Sequence, residues 1–211
     1  MSVYPFRLPD VAAAVEEARA VARARGMTRF EWWIAPDAEP ADLAARLREH
    51  GLTDDPPAAA MVIFSEPPAA EGITARQVVS IDELRTALEI AHAAFEDRPE
   101  RLQAALEGLP DQWEREGVES ATFLAFLAGK AVGAARSVYL DEPAVLLVSG
   151  SVAKEARGRG AYRALVRARW DDAVARGKSA LLVFAGPMSR PILERSGFEP
   201  MFELRILGDD L

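Results

Sequence analysis

The sequence predicts an α/β protein of the α+β type, because runs typical of strands alternate with helical patterns along its 211 residues. Three consecutive strand-like runs with short breaks, "SATFLAFLAG", "AVGAARSVYL" and "AVLLVSGSV", predict an antiparallel meander. The wholly apolar run "ALLVFAG" then follows an amphipathic helical pattern and is typical of a central, buried strand.

The N-terminal elements form a first group. Pro9 and Asp10 open a helix that Gly26 ends, and the strand "RFEWWIA" follows. The helix "PADLAARLREHG" and the strand "AAAMVIF" come next, before the proline-rich stretch "SEPPAAEG". We therefore predict an N-terminal domain over residues 1–64, a linker over 65–72 and a second domain over 73–211.

The second domain begins with the strand "TARQVVS". Ser80 and Glu83 have the spacing of a capping box for the helix "IDELRTALEIAHAAF". More helix follows in "PERLQAALEGLPDQWEREG", with a break near Gly108 and Pro110. After the meander we predict a helix from Ala161 to Arg176, the strand "ALLVFAG", a short helix in "SRPILERSG" and a last strand in "FEPMFELRIL".

An internal repeat is visible between residues 22–52 and 172–198. Both stretches read as the end of a helix at Arg-Gly, an apolar strand, and a helix that ends at Gly plus an apolar residue. Leu47 falls opposite Leu193, and Gly51 opposite Gly197. The identities are few, so chance alternation of helix and strand is the alternative.

Composition excludes several classes of function. The chain has no cysteine and two histidines, so we expect no disulfide, no cysteine nucleophile and no metal site. Its formal charge of −8 argues against a nucleic-acid partner. Since neither a membrane-spanning run nor a signal-peptide core is present, we expect a cytoplasmic protein without a membrane partner.

The loop in "SVAKEARGRGAYRALV" carries the clearest chemistry. It joins a strand to a helix, whose first turn has unpaired N–H donors and the positive end of the helix dipole. Gly158 and Gly160 let an anion approach the backbone closely, and Arg157 and Arg159 add positive charge. Taken alone, the loop is more typical of a solvated basic turn, and the flanking strand, helix and second motif are what favour an anion site.

Two ordered motifs resemble those of the GCN5-related N-acetyltransferases. The family's main motif runs from a strand through [QR]-x-x-G-x-[GA] into a helix, and Arg157 and Gly160 occupy its fixed places. Its second motif resembles "LERSGFEP" at Glu194, Gly197 and Phe198. The resemblance covers about Gly72 to Leu211, and the N-terminal part is similar to a degenerate half of the same fold.

The resemblance implies a mixed sheet that parts between "AVLLVSGSV" and "ALLVFAG", with acetyl-CoA in the gap as co-substrate. Its pantetheine arm would pair with the backbone of Gly150, Ser151 and Val152. Its pyrophosphate would bind N–H groups in the loop. The full set of implied cofactor-binding residues is Gly150, Ser151, Val152, Arg157, Gly158, Arg159, Gly160, Ala161, Tyr162, Arg163 and Ser189.

The resemblance also implies direct attack of an amine on the acetyl carbonyl, with the Val152 N–H as oxyanion donor. Ser151 and Tyr162 are weaker catalytic candidates. Leu193 stands where the family usually has a tyrosine that protonates the CoA thiolate, and Tyr162 stands where it has a small residue. Glu96 and Asp97 either meet the incoming amine or form a solvated acidic turn.

Three functions follow as alternatives. The first is an acetyl-CoA-dependent N-acetyltransferase that acts on a small-molecule or peptide amine. The second is a catalytically weak or inactive acyl-CoA-binding regulatory domain. The third is a scaffold protein whose basic loop is only a surface turn. The sequence leaves the acceptor and the choice between monomer and homodimer open.

Overall fold

The computed structural model describes residues 2–4, 7–95 and 99–211. Contacts along the chain divide it into two compact units. Unit 1 contains Met1–Met61, Phe184–Leu193 and Pro200–Leu211, and unit 2 contains Val62–Val183 and Glu194–Glu199. Two C-terminal segments of the predicted 73–211 domain therefore group with the N-terminal part, and the predicted domain boundaries stay a prediction.

Unit 1 holds most of the N-terminal elements and the last strand. Its strands are adjacent in the order β1, β2, β9, β3, with β1 parallel and β9 antiparallel to β2. The elements that lie wholly or mostly in this unit are β1 (Ser2–Val3), α1 (Val11–Ala24), β2 (Arg29–Ile34), α2 (Leu43–Glu49), β3 (Thr53–Ile63), α7 (Arg190–Glu194) and β9 (Glu199–Asp210).

Unit 2 contains the predicted meander. Strands β4, β5, β6 and β7 pair antiparallel in that order, and β7 pairs parallel with β8, which makes the sheet mixed. Its elements are β4 (Ile73–Gln77), α3 (Ile81–Phe95), α4 (Pro99–Glu107), α5 (Leu109–Arg115), β5 (Ser120–Leu127), β6 (Lys130–Tyr139), β7 (Ala144–Val152), a 3₁₀ helix (Lys154–Ala156), α6 (Ala161–Ala175) and β8 (Ala180–Ala185).

Helices cover both faces of the sheet in unit 2, as the alternation along β5 requires. Phe123 packs with Leu165 of α6 on one face, while its neighbour Leu124 packs with Leu84 and Leu109 of α3 and α5 on the other. Helix α6 thus lies against the meander, and its first residue follows the glycine loop directly. None of the helices in the described ranges has both the length and the apolarity needed to span a bilayer.

Strand β3 begins earlier than its apolar run predicts. It starts at Thr53 and includes Pro56 and Pro57 in a largely exposed first half. Proline is tolerated near the start of a strand, where its missing N–H costs least. Strand β1 was not predicted, because two residues are too few to show a period.

The positions aligned by the internal repeat have matching environments. Leu47 and Leu193 are both fully buried. Gly51 and Gly197 both have a left-handed backbone, with φ of 89° and 94°. Such angles favour glycine after a helix. These matches agree with a repeat, which itself stays a prediction.

Ser80 caps α3 as predicted, but the return bond to the Glu83 carboxylate comes from the residue before Ser80, so the predicted capping box is confirmed in its Ser80 half. The Glu83 N–H donates to the Ser80 hydroxyl at 3.2 Å, and the Glu83 carboxylate accepts from the Val79 N–H at 2.9 Å. Arg76 also donates to both oxygens of this carboxylate. Chiefly because of Arg76, the pKa of Glu83 falls from 4.5 to about 2.

We predict that this carboxylate stabilises the fold in a pH-dependent way. A lowered folded-state pKa adds stability above the unfolded pKa of 4.5, and that stability is lost as the pH falls towards about 2. Glu83→Gln should therefore lower the free energy of unfolding at pH 7 and flatten its decline between those pH values. Urea unfolding across this range measures both effects, and an equal decline in both proteins would contradict the prediction.

Candidate cofactor-binding site

Strand β7 extends beyond the stretch that pairs with its parallel partner, β8. Its pairing with β8 runs from Ala144–Ala180 to Leu147–Val183 and ends there, whereas β7 continues to Val152. The edge of β7 from Val148 to Val152 is therefore unpaired on the β8 side among the described residues. Backbone groups on such an edge need hydrogen-bond partners from elsewhere.

A β-bulge lies in this open stretch. On β6, Arg136 pairs with Val148 and Ala134 with Ser151, so two residues of β7 oppose one of β6. The two residues opposite Ala135 are Ser149 and Gly150, and Ser149 has a φ of 51°. A bulge redirects the backbone locally and terminates regular pairing.

Beyond the bulge, alternation fixes the direction of the backbone N–H groups. The Ala153 N–H donates to the Val132 carbonyl of β6 at 2.9 Å. Since successive N–H groups of a strand point to opposite edges, the Val152 N–H points to the open edge. The residue predicted as oxyanion donor thus presents its N–H away from β6.

The loop after β7 has the backbone that an anion site requires. Gly158 and Gly160 have left-handed φ angles of 76° and 92°, and Gly160 caps α6. None of the N–H groups from Gly158 to Arg163 donates a hydrogen bond to another described residue. Six adjacent donors, the last three in the first turn of a 15-residue helix, are thus free for a ligand.

The side chain of Arg157 turns back towards the strand. Its Nε donates to the Val152 carbonyl at 3.4 Å, while the residue itself is exposed. Arg159 is exposed as well. The loop therefore presents positive charge around its N–H donors.

The ring of Tyr162 packs on the bulge. A Cβ at position 150 would lie 2.8 Å from Tyr162 Cε2, closer than real Cβ atoms come, and the next two nearest atoms, Cζ and the hydroxyl oxygen at 3.5 Å, belong to the same side chain. Gly150 is therefore the residue that makes room for Tyr162. Strand β7 has no side chain at Gly150, and Tyr162 of α6 fills that space. Tyr162 stands at the position where the motif has a small residue.

A buried arginine lies further along helix α6. Arg169 is 1% exposed, and its Nε donates to the Leu165 carbonyl at 3.0 Å. Burial lowers the pKa of Arg169, an effect that the nearby Tyr162 partly offsets. No sequence pattern pointed to this residue, because arginine is common in the chain and its burial depends on packing.

The remaining predicted site residues are already bonded, belong to unit 1 or lie outside the described residues. The Ser151 hydroxyl is buried and donates to the Ala134 carbonyl at 3.2 Å. Ser189 belongs to unit 1, where its hydroxyl donates to the Gly186 carbonyl at 3.3 Å. Leu193, also in unit 1, is fully buried. Glu96 and Asp97 lie outside the described residues.

One half-buried carboxylate of unit 2 was not predicted. Glu116 accepts hydrogen bonds from the Thr122 N–H and, at 3.1 Å, from the Thr122 hydroxyl. Burial raises the pKa of Glu116 above 4.5, while the bonds from Thr122 lower it in part. Because Thr122 occupies both oxygens, this carboxylate anchors the start of β5.

Solved structures share this architecture. A GCN5-related N-acetyltransferase from Kribbella flavida superposes with a TM-score of 0.69 over 97% of this chain and 78% of its own, at 21% identity. One from Sphaerobacter thermophilus gives a TM-score of 0.65 over 94% and 66%, at 20% identity. A tandem GNAT protein from the clavulanic acid biosynthesis pathway, solved without AcCoA, gives 0.63 over 94% and 69%, at 16% identity.

These likenesses show the fold. No protein-family model matches the sequence, and no curated protein matches it either. The chain nevertheless has the fold of the GCN5-related N-acetyltransferases over nearly its whole length, which confirms the predicted fold class.

We predict that Gly150→Ala destabilises the protein by about 1–3 kcal/mol, because the new methyl group overlaps the Tyr162 ring. In a Tyr162→Ala background the same change should cost almost nothing, since the three nearest atoms all belong to the Tyr162 side chain. Urea unfolding of the four proteins measures the difference. An equal cost in both backgrounds would show that the ring does not set the requirement for glycine.

Proposed function

We propose that this protein is an acetyl-CoA-dependent N-acetyltransferase that transfers an acetyl group to an amine by direct attack. The observation that carries the proposal is the open edge of β7, which leads into a loop with six free N–H donors. The open edge suits an extended arm that carries amide groups, and the loop suits a diphosphate at the end of that arm. The fold shared with GCN5-related N-acetyltransferases supports the same reading.

Each part of the surface has its own role in the proposal. The N–H groups from Gly158 to Arg163 hold the diphosphate, helped by the dipole of α6. The edge of β7 from Gly150 to Val152 pairs with the amides of pantetheine. The exposed guanidinium of Arg159 adds attraction for the phosphates.

The reaction needs little covalent chemistry from the protein. The amine nitrogen bonds to the acetyl carbon, the C–S bond breaks, and CoA leaves as its thiolate. The Val152 N–H stabilises the oxyanion formed on the way. The amine's proton passes to water, and water also protonates the thiolate, because Leu193 has no proton to donate.

Leu193 also supports a second candidate function, an acyl-CoA-binding regulatory domain with little or no activity. Its side chain is a hydrocarbon with no ionisable proton, so it takes no part in proton transfer. Such a domain would bind acetyl-CoA through the same loop. Binding and turnover therefore need separate measurements.

We predict that Gly160→Asp abolishes acetyl-CoA binding, because it places a carboxylate beside the diphosphate. The matched control is Gly160→Asn, which has nearly the same shape and the same left-handed backbone requirement without the charge. Calorimetry should give an affinity for Gly160→Asn within about tenfold of the unchanged protein and no detectable binding for Gly160→Asp. Equal affinities for the two variants would show that the diphosphate does not bind at this loop.

We further predict that CoA thiol release increases when a suitable amine is added. The protein has no cysteine, so a thiol reagent reports CoA alone. A panel of small amines and peptide N-termini should include at least one that accelerates release, and the Gly160→Asp variant should show no acceleration. Tight acetyl-CoA binding without amine-dependent release would favour the regulatory domain.

A further inference from the structure

Strand β2 divides its side chains between two faces of the sheet in unit 1. Phe30, Trp32 and Ile34 are buried in the core that contains residues of α1 and α2. Since successive side chains of a strand point to opposite faces, Glu31 and Trp33 lie on the other face. Both are half-buried, so solvent reaches this second face.

Three aromatic rings meet around Trp33. The ring centroids of Tyr4, Trp33 and Phe184 lie 5.8 to 6.1 Å apart in all three pairs, and all three residues belong to unit 1. Tyr4 is 57% exposed, and Phe184 is half-buried like Trp33. The three rings therefore form one aromatic surface that remains open to solvent.

A carboxylate lies at the edge of this aromatic surface. Trp33 Nε1 donates to a carboxylate oxygen of Glu31 at 2.8 Å, which fixes the indole beside the negative charge. Arg29, the basic residue of β2, donates instead to the carboxylates of Asp55 and Asp210 at 2.6 to 2.8 Å. Among the described residues Glu31 forms no ion pair, so its charge is available to a ligand.

We propose that Tyr4, Trp33, Phe184 and Glu31 form a binding site for an organic cation of the alkylated ammonium class. Aromatic faces attract such cations within about 6 Å of the ring centroid. A nitrogen about 4 Å above the triangle of centroids lies about 5 Å from each of them. Glu31 supplies the opposite charge, and the net charge of −8 favours the approach of a cation.

Charge decides between this ligand class and a neutral apolar one. Three rings alone would bind any apolar molecule through the area that becomes buried. A neutral ligand beside Glu31, however, would cover part of a carboxylate without compensating its charge, which opposes binding. The site does not depend on the proposed function, because all four residues belong to unit 1 and no acetyl-CoA is required.

Choline and its neutral isostere 3,3-dimethyl-1-butanol provide the test, because they differ in charge and hardly in shape. Indole N–H signals in NMR spectra report binding, and Trp33→Phe identifies the Trp33 signal among the four tryptophans by its loss. Choline should shift this signal with a Kd in the millimolar range and leave the signals of Trp113 and Trp170 unchanged. The isostere should bind at least about fivefold more weakly.

Two matched pairs of variants separate the ring from the charge. Tyr4→Leu removes a ring and should weaken choline binding by about two- to fivefold, whereas Tyr4→Phe keeps the ring and should stay within about twofold. Both variants change an exposed position, so the fold should be unaffected. Glu31→Gln keeps an acceptor for the indole N–H without the charge, so it should weaken choline by about two- to fivefold and leave the isostere unchanged.

Equal affinities for choline and the isostere would reduce the surface to an apolar patch and overturn the proposal. Equal effects of Tyr4→Leu and Tyr4→Phe would also overturn it, since the ring would then make no contribution. The same holds if about 100 mM choline leaves the Trp33 signal unchanged. A failure to bind acetyl-CoA would refute only the proposed function, because choline binding is measured without that cofactor.

Discussion

Backbone hydrogen bonding is the constraint on which the structure of unit 2 depends. Strand β7 loses its parallel partner after Leu147, and the loop after it presents N–H groups with no acceptor in the described chain. Unpaired backbone groups must be satisfied by water or by a ligand. The meander and the helices on both of its faces hold this open edge and the loop in a fixed relation.

A second feature is the complementary packing of strand β7 and helix α6. Gly150 has no side chain where the Tyr162 ring lies, so the helix supplies the bulk that the strand omits. On the same helix, Arg169 is buried in unit 2.

The sequence predicted the fold and the loop because both depend on local patterns. The meander, the α3 capping box and the two glycines of the loop are all encoded within a few residues. The bulge at Ser149 and the contacts of Tyr162 depend on register between distant strands and helices. Periodicity carries no information about such packing, so Arg169 and the requirement for Gly150 could not be predicted.

The central claim is that the open β7 edge and the loop form one surface for an acyl-CoA. Backbone amide chemical shifts, recorded by NMR during a titration with acetyl-CoA, test it most directly. The account predicts the largest changes at residues 150–152 and 158–163, all with the same affinity. Changes confined to other residues, or no changes at millimolar acetyl-CoA, would contradict it.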